Sequence, residues 1–134
     1  MGLTYLLDTN ICIYIAKYKP MSVLKRFEQI EYSELAMSII TYGELLFGAI
    51  KSQHTAIAQH KLQELSNLIP PLPLTIDVCT YYASVRAILE KNGQIIGGND
   101  LWIAAHALAL DIILVTNNIK EFSRVPNLKL ENWV

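Results

Sequence analysis

Three acidic residues stand where an apolar setting makes a carboxylate costly. Asp8 directly follows the short apolar run Thr4-Tyr5-Leu6-Leu7. Such a run, stopping at polar residues, reads as a buried strand. In an open parallel sheet, ligands gather at the carboxyl ends of strands. Glu44 lies in an apolar helix over 40–50, four residues after Ile40 and three before Phe47, and so shares their side. Asp100 opens a helix over 101–110 whose Ile103, Ala104, Ala107 and Leu108 continue the stripe that it begins. Thr116, Asn117 and Asn118 bring oxygen-bearing side chains to the end of a fourth strand, over 112–115, and Glu121 follows one helical turn later. Each residue has a plain structural reading. Asp8 caps a helix, Glu44 meets a basic partner, and Asp100 complements a helix dipole.

Their joint occurrence points further. Three negative charges aimed into one small core would repel one another and hold protons. A hard divalent cation resolves the conflict. Oxygen ligands without His or Cys at ligand spacing suit Mg²⁺ or Mn²⁺ rather than zinc. Mg²⁺ held by a few carboxylates keeps waters and meets phosphates, which points to phosphodiester chemistry. The other acids considered (Glu28, Glu31, Glu34, Glu64 and Glu90) sit among polar neighbours and read as solvated surface. His54 and His60 read as exposed, and His106 as a hydrogen-bonded packing residue.

The elements that must position these groups alternate. Strands are expected over 4–7, 34–37, 74–76, 112–115 and 128–131, with 70–73 a stiff connector. Helices are expected over 11–18, capped by Thr9 or Asn10, and over 21–30, 40–50, 54–68, 78–92, 101–110 and 119–122. Alternation of this kind predicts an α/β fold with a mostly parallel sheet and helices on both faces. Ile40, Gly43, Phe47 and Ile50 form one stripe of their helix. The 134 residues predict one domain and are 52% hydrophobic, which excludes intrinsic disorder. Net charge is −1, so any nucleic acid must be met by a local patch. Two distant cysteines, Cys12 and Cys79, exclude a disulfide scaffold and read as buried thiols. No signal segment or apolar span is evident, which predicts a soluble, cytoplasmic protein.

Several segments, taken in order, resemble the VapC-type toxins of the PIN-domain ribonuclease family. They are Leu6-Leu7-Asp8-Thr9-Asn10, Ile40-Thr41-Tyr42-Gly43-Glu44-Leu45, Gly98-Asn99-Asp100-Leu101-Trp102-Ile103-Ala104-Ala105-His106-Ala107, and Val115-Thr116-Asn117-Asn118 with Glu121-Phe122. The closing Asn127-Leu128-Lys129-Leu130-Glu131-Asn132-Trp133 also fits. The resemblance implies a single PIN domain over 1–134, a three-layer sandwich around a sheet of four or five strands. It implies an endoribonuclease dependent on Mg²⁺, or Mn²⁺ in its place, with tRNA the favoured substrate. It further implies neutralisation by a cognate VapB-type antitoxin, in dimers or larger complexes.

The family's first Asp falls on Asp8, its Glu on Glu44 and its next Asp on Asp100. Its further Asp, two residues after the conserved Thr, is here Asn118, so a fourth carboxylate is absent or supplied by Glu121. In this reading Asp8 and Asp100 ligate the ion, while Glu44 completes the shell or orients a water as base. Thr116 steadies an acid, Asn118 orients water, and Ser38 is a weaker supporting candidate. Lys120 and Arg124 flank the site as candidates for RNA contact. The apolar first half, including Leu45, Leu46 and Phe47, suggests a docking groove. Two rivals remain: a metal-dependent phosphatase with an Asp nucleophile, weakened by Asn10 where Asp is usual, and a non-catalytic α/β binding module. The same fold acting on DNA or rRNA is a third.

Overall fold

The computed structural model describes residues 2–134. Five short strands form one parallel sheet: β1 (Tyr5–Leu7), β2 (Leu35–Ser38), β3 (Pro71–Leu72), β4 (Ile113–Val115) and β5 (Leu130–Glu131), in the order β3-β2-β1-β4-β5. Between them run α1 (Thr9–Ala16), α2 (Met21–Glu28), α3 (Ile39–Lys51), α4 (Thr55–Leu68), α5 (Ile76–Lys91), α6 (Gly98–Leu110) and the single turn α7 (Ile119–Phe122).

The pleat explains why both faces are covered. Successive strand residues point to opposite sides. Tyr5, Leu7, Leu35, Met37 and Val115 join Ile11, Ile15, Val23, Phe27 and Leu65 in one apolar layer, built with α1, α2 and α4. Leu6, Ala36 and Leu114 join Val85, Leu89, Leu101, Ala104 and Phe122 in the other, built with α5 and α6. Strands buried on both faces are apolar without alternation, as Tyr5-Leu6-Leu7 is.

Three expectations are corrected. The third strand is Pro71–Leu72, inside the proline-rich connector, and not 74–76; there Ile76 already opens α5. Pro71 pairs with Met37 on an edge strand, where a missing N–H costs little. The cap of α1 is Asp8 itself, not Thr9 or Asn10. Cys12 is buried, but Cys79 lies exposed on α5. Among the described residues no helix is long and apolar enough to cross a membrane.

Candidate active site

Three of the acids follow strands, Asp8 after β1, Glu44 on α3 after β2 and Glu121 on α7 after β4, while Asp100 opens α6, which leads into β4. Asp8 follows β1; its Oδ1 accepts from Ile11 N at 3.0 Å, and only 5% of the residue is exposed. Burial raises its pKa, the Thr116 hydroxyl and the amides of Ile11 and Asn10 pull it down, and the charge of Glu44 pushes it up again. It is a cap and an electrostatic member of the site at once.

Glu44 leans from the second turn of α3 toward α1. The Thr9 hydroxyl donates to its Oε1 at 2.5 Å, and Asn99 Nδ2 stands 3.4 Å from its Oε2. The basic partner expected for this carboxylate is absent. None of Asp8, Glu44, Asp100 and Glu121 has a cation within ion-pairing distance among the described residues.

Asp100 sits in the first turn of α6, behind Gly97, which caps the helix through its backbone alone. Burial, then the charge of Glu121 and a hydrogen bond to it, then Glu44 and Asp8, raise the Asp100 pKa to about 7. Glu121 moves the other way. Burial would raise it, but the Gly97 N–H at 2.9 Å, Asp100, Asn118 Nδ2 at 2.6 Å and the charge of Arg124 together lower it. Of the pair, Asp100 is therefore the one that takes up a proton as pH falls through about 7. A Cβ on Gly97 would stand in ordinary van der Waals contact with Asp100 Oδ2 at 3.6 Å and Glu121 Oε1 at 3.7 Å, so both acids flank this glycine.

The structure thus brings Asp8, Glu44 and Asp100 into mutual electrostatic reach and adds Glu121 at the fourth position. Thr116, fully buried, serves Asp8 and also accepts from Asn118 N at 2.9 Å; the Asn118 side chain steadies Glu121. Ser38 does otherwise. It is fully buried, caps α3 by accepting from Ile40 N at 3.1 Å, and lies 2.8 Å from His106 Nδ1. Its oxygen is committed to the fold rather than to the acids. His106 is the packing histidine expected of it, its pKa lowered by burial. Arg124 spends one guanidinium nitrogen on the Ile95 carbonyl at 2.9 Å, while Lys120 is exposed on α7. Sequence reasoning missed the roles of Thr9 and Asn99. Their only signal was adjacency to Asp8 and Asp100.

Among the described residues no three His, Cys, Asp or Glu side chains close directly around a single ion. Asp8, Glu44 and Glu121 are instead held by neutral donors and Asp100 by Glu121, leaving an oxygen-lined mouth that accumulates negative charge. A cation would stabilise it from inside, and a hydrated one fits its looseness.

The profile of the PIN domain matches residues 5–128. The chain is 40% identical over 130 residues to ribonuclease VapC1 of Haemophilus influenzae (strain R2866), covering 96% of this chain and 97% of that protein. It is 37% identical to the tRNA(fMet)-specific endonuclease VapC of Shigella flexneri, over 98% of each chain. Among solved structures, VapBC2 from Rickettsia felis bound to a promoter DNA fragment superposes with a TM-score of 0.91 at 41% identity, over 98% of this chain and 100% of that one. A parallel sheet whose strand ends collect four acids, and relatives matched nearly end to end, agree: this chain belongs to the PIN-domain family, among the VapC-type toxin ribonucleases.

Proposed function

We propose that this chain is a Mg²⁺-dependent endoribonuclease that cuts tRNA and is held in check by a VapB-type antitoxin. The observation that carries the metal is the set of four carboxylates facing one another without a cation, one of them raised to about 7. Asp8 and Asp100 would hold the ion, with Glu44 and Glu121 reaching it directly or through water. When bound, Mg²⁺ supplies charge for the phosphate and lowers the pKa of a water.

The remaining work falls to the chain's own side chains. Glu44, kept in one rotamer by Thr9, accepts a proton from the attacking water. Thr116 fixes the orientation of Asp8, and the Gly97 amide with Asn118 fixes that of Glu121. Loss of the Asp100 proton readies the site for the ion, so Mg²⁺ binding should strengthen as pH rises through about 7.

The tRNA assignment rests on the Shigella flexneri relative named for tRNA(fMet). The antitoxin assignment rests on structural relatives that are VapBC complexes. It is supported by an apolar groove of about 540 Å³ between α1, α3 and α4, lined by Ile13, Ala16, Leu45, Ala49 and Leu62 and edged by Lys17. A helix with an apolar stripe would fit it. Brief induction followed by sequencing of cellular RNA ends tests the whole reading. New ends should fall in tRNA in the wild type and disappear with Asp8→Asn, and purified protein should cut the same RNA with Mg²⁺ and not with chelator. Ends unchanged by Asp8→Asn, or cleavage in chelator, overturn it.

A further inference from the structure

Residues 92–97 join α5 to α6 outside helix and strand, and Gly97 ends them as the backbone cap of α6. The far side of this stretch is held at two points by α7 and the turn behind it. Glu121 Oε1 accepts from Gly97 N at 2.9 Å, and Arg124 Nη1 donates to the Ile95 carbonyl at 2.9 Å. Glu121 and Arg124 are three residues apart in a helical turn and so share a side; Arg124 N donates to the Glu121 carbonyl at 3.2 Å. Between the two contacts Ile96, only 6% exposed, sinks into the apolar layer that also holds Phe122. Its packing fixes the depth of the stretch and leaves the rotation of the flanking peptides to their hydrogen bonds. The other oxygen of Glu121 is held locally, by Asn118 Nδ2, but Oε1 relies on an amide 24 positions away.

We infer that Arg124 is a positioning residue: by holding the Ile95 carbonyl it sets the Gly97 N–H against Glu121 and so keeps Glu121 beside Asp100. The inference rests on the ribonuclease reading above and replaces RNA contact as the work of Arg124. A guanidinium nitrogen committed to a main-chain carbonyl is not free to follow a phosphate. The charge of Arg124 also reaches Glu121, whose pKa it helps to lower. That charge alone would act on a metal in the opposite sense. A cation near the acids repels Mn²⁺, so if only charge mattered, Arg124→Met would tighten Mn²⁺ binding. A positioning role requires the other sign.

The test uses the full chain. Titration of Mn²⁺ in the absence of RNA should give a dissociation constant about tenfold higher for Arg124→Met, the loss typical of a group that orients metal ligands from outside. Arg124→Lys keeps a donor for the carbonyl and should recover most of the affinity. Hydrogen exchange followed by NMR in chelator should show the Gly97 amide exchanging faster in Arg124→Met. The Leu114 amide, bonded to the Lys129 carbonyl at 2.9 Å within the sheet, should be unchanged; a general loss of stability would speed both. Binding of bulk tRNA in chelator should be equal for the two proteins, with equal dependence on salt.

Mn²⁺ binding unchanged or tightened in Arg124→Met overturns the proposal. So does a Gly97 amide indifferent to Arg124, or one that quickens only together with Leu114. A salt slope lowered by about one returns Arg124 to the RNA surface. Each of these results leaves the ribonuclease reading intact. A wild type that neither binds Mn²⁺ nor cuts RNA sinks both.

Discussion

Ser38→Ala separates a residue that builds the fold from one that does chemistry. Two losses follow from the structure. The first is the cap of α3, where Ser38 Oγ accepts from Ile40 N at 3.1 Å; an N-cap serine replaced by alanine costs about 1 kcal/mol. The second is the partner of His106, 2.8 Å away on a residue only 1% exposed. A buried ring nitrogen left without a partner costs about 1–3 kcal/mol. Together the substitution should lower stability by about 2–4 kcal/mol, a large share of a typical domain's total. Urea denaturation read as a midpoint at common slope measures this. Well below the new melting temperature, kcat on RNA should match the wild type. A loss below about 0.5 kcal/mol would mean that neither contact matters. A folded, stable Ser38→Ala protein with kcat reduced about a hundredfold would return Ser38 to the catalytic machinery.

Asp100 has a folded pKa of about 7 against an unfolded value of 3.8, the reverse of a salt-bridged carboxylate. The folded chain therefore holds a proton that the unfolded chain has lost. In chelator, its contribution to stability is full below the unfolded value and is lost as pH rises through about 7. The melting temperature should accordingly rise as pH is lowered from about 8 to 5, and Asp100→Asn should flatten the profile; a profile of unchanged slope in that variant contradicts the assignment. Asp8→Asn keeps an oxygen for Ile11 N and removes a buried charge, so its melting temperature in chelator should equal or exceed the wild type's, while RNA cleavage falls by more than about 100-fold. Gly93→Ala places a side chain at φ +65° and should cost about 1–2 kcal/mol in urea denaturation. Gly97→Ala, at an ordinary φ of −55°, should cost little in the same assay but weaken Mn²⁺ binding by titration, since its methyl would meet two carboxylates; tighter binding would show that those acids do not share the ion.

The acid cluster was legible in the sequence because the cost of a buried charge has no periodicity to hide behind. Asp8 after an apolar strand and Asp100 at the head of an apolar helix each needed a reason, and one shared ion would supply it for both. The sheet was legible for a related cause: Tyr5-Leu6-Leu7 is apolar without alternation, which requires cover on both faces, and the two core layers provide it. The edge strand was not. Pro71–Leu72 is a strand only because Met37 and Ser38 lie beside it, a partnership set by tertiary structure over a long sequence interval.

The same distinction governs the site. Thr9 and Asn99 reach Glu44 across 35 and 55 residues, and no spacing rule announces a hydrogen bond of that span. Periodicity reported that one side of α3 is apolar but not what lies against that side. In the structure Thr41 and Ala49 are the buried residues of α3, while Phe47 and Ile50 stand in solvent. An apolar stripe is a statement about what a helix avoids, and water is displaced equally well by a core, a partner chain or a flat aromatic ligand. What selects among these on α3 is the polar company the stripe keeps. A core would have excluded Glu44 and Asn99 from its edge.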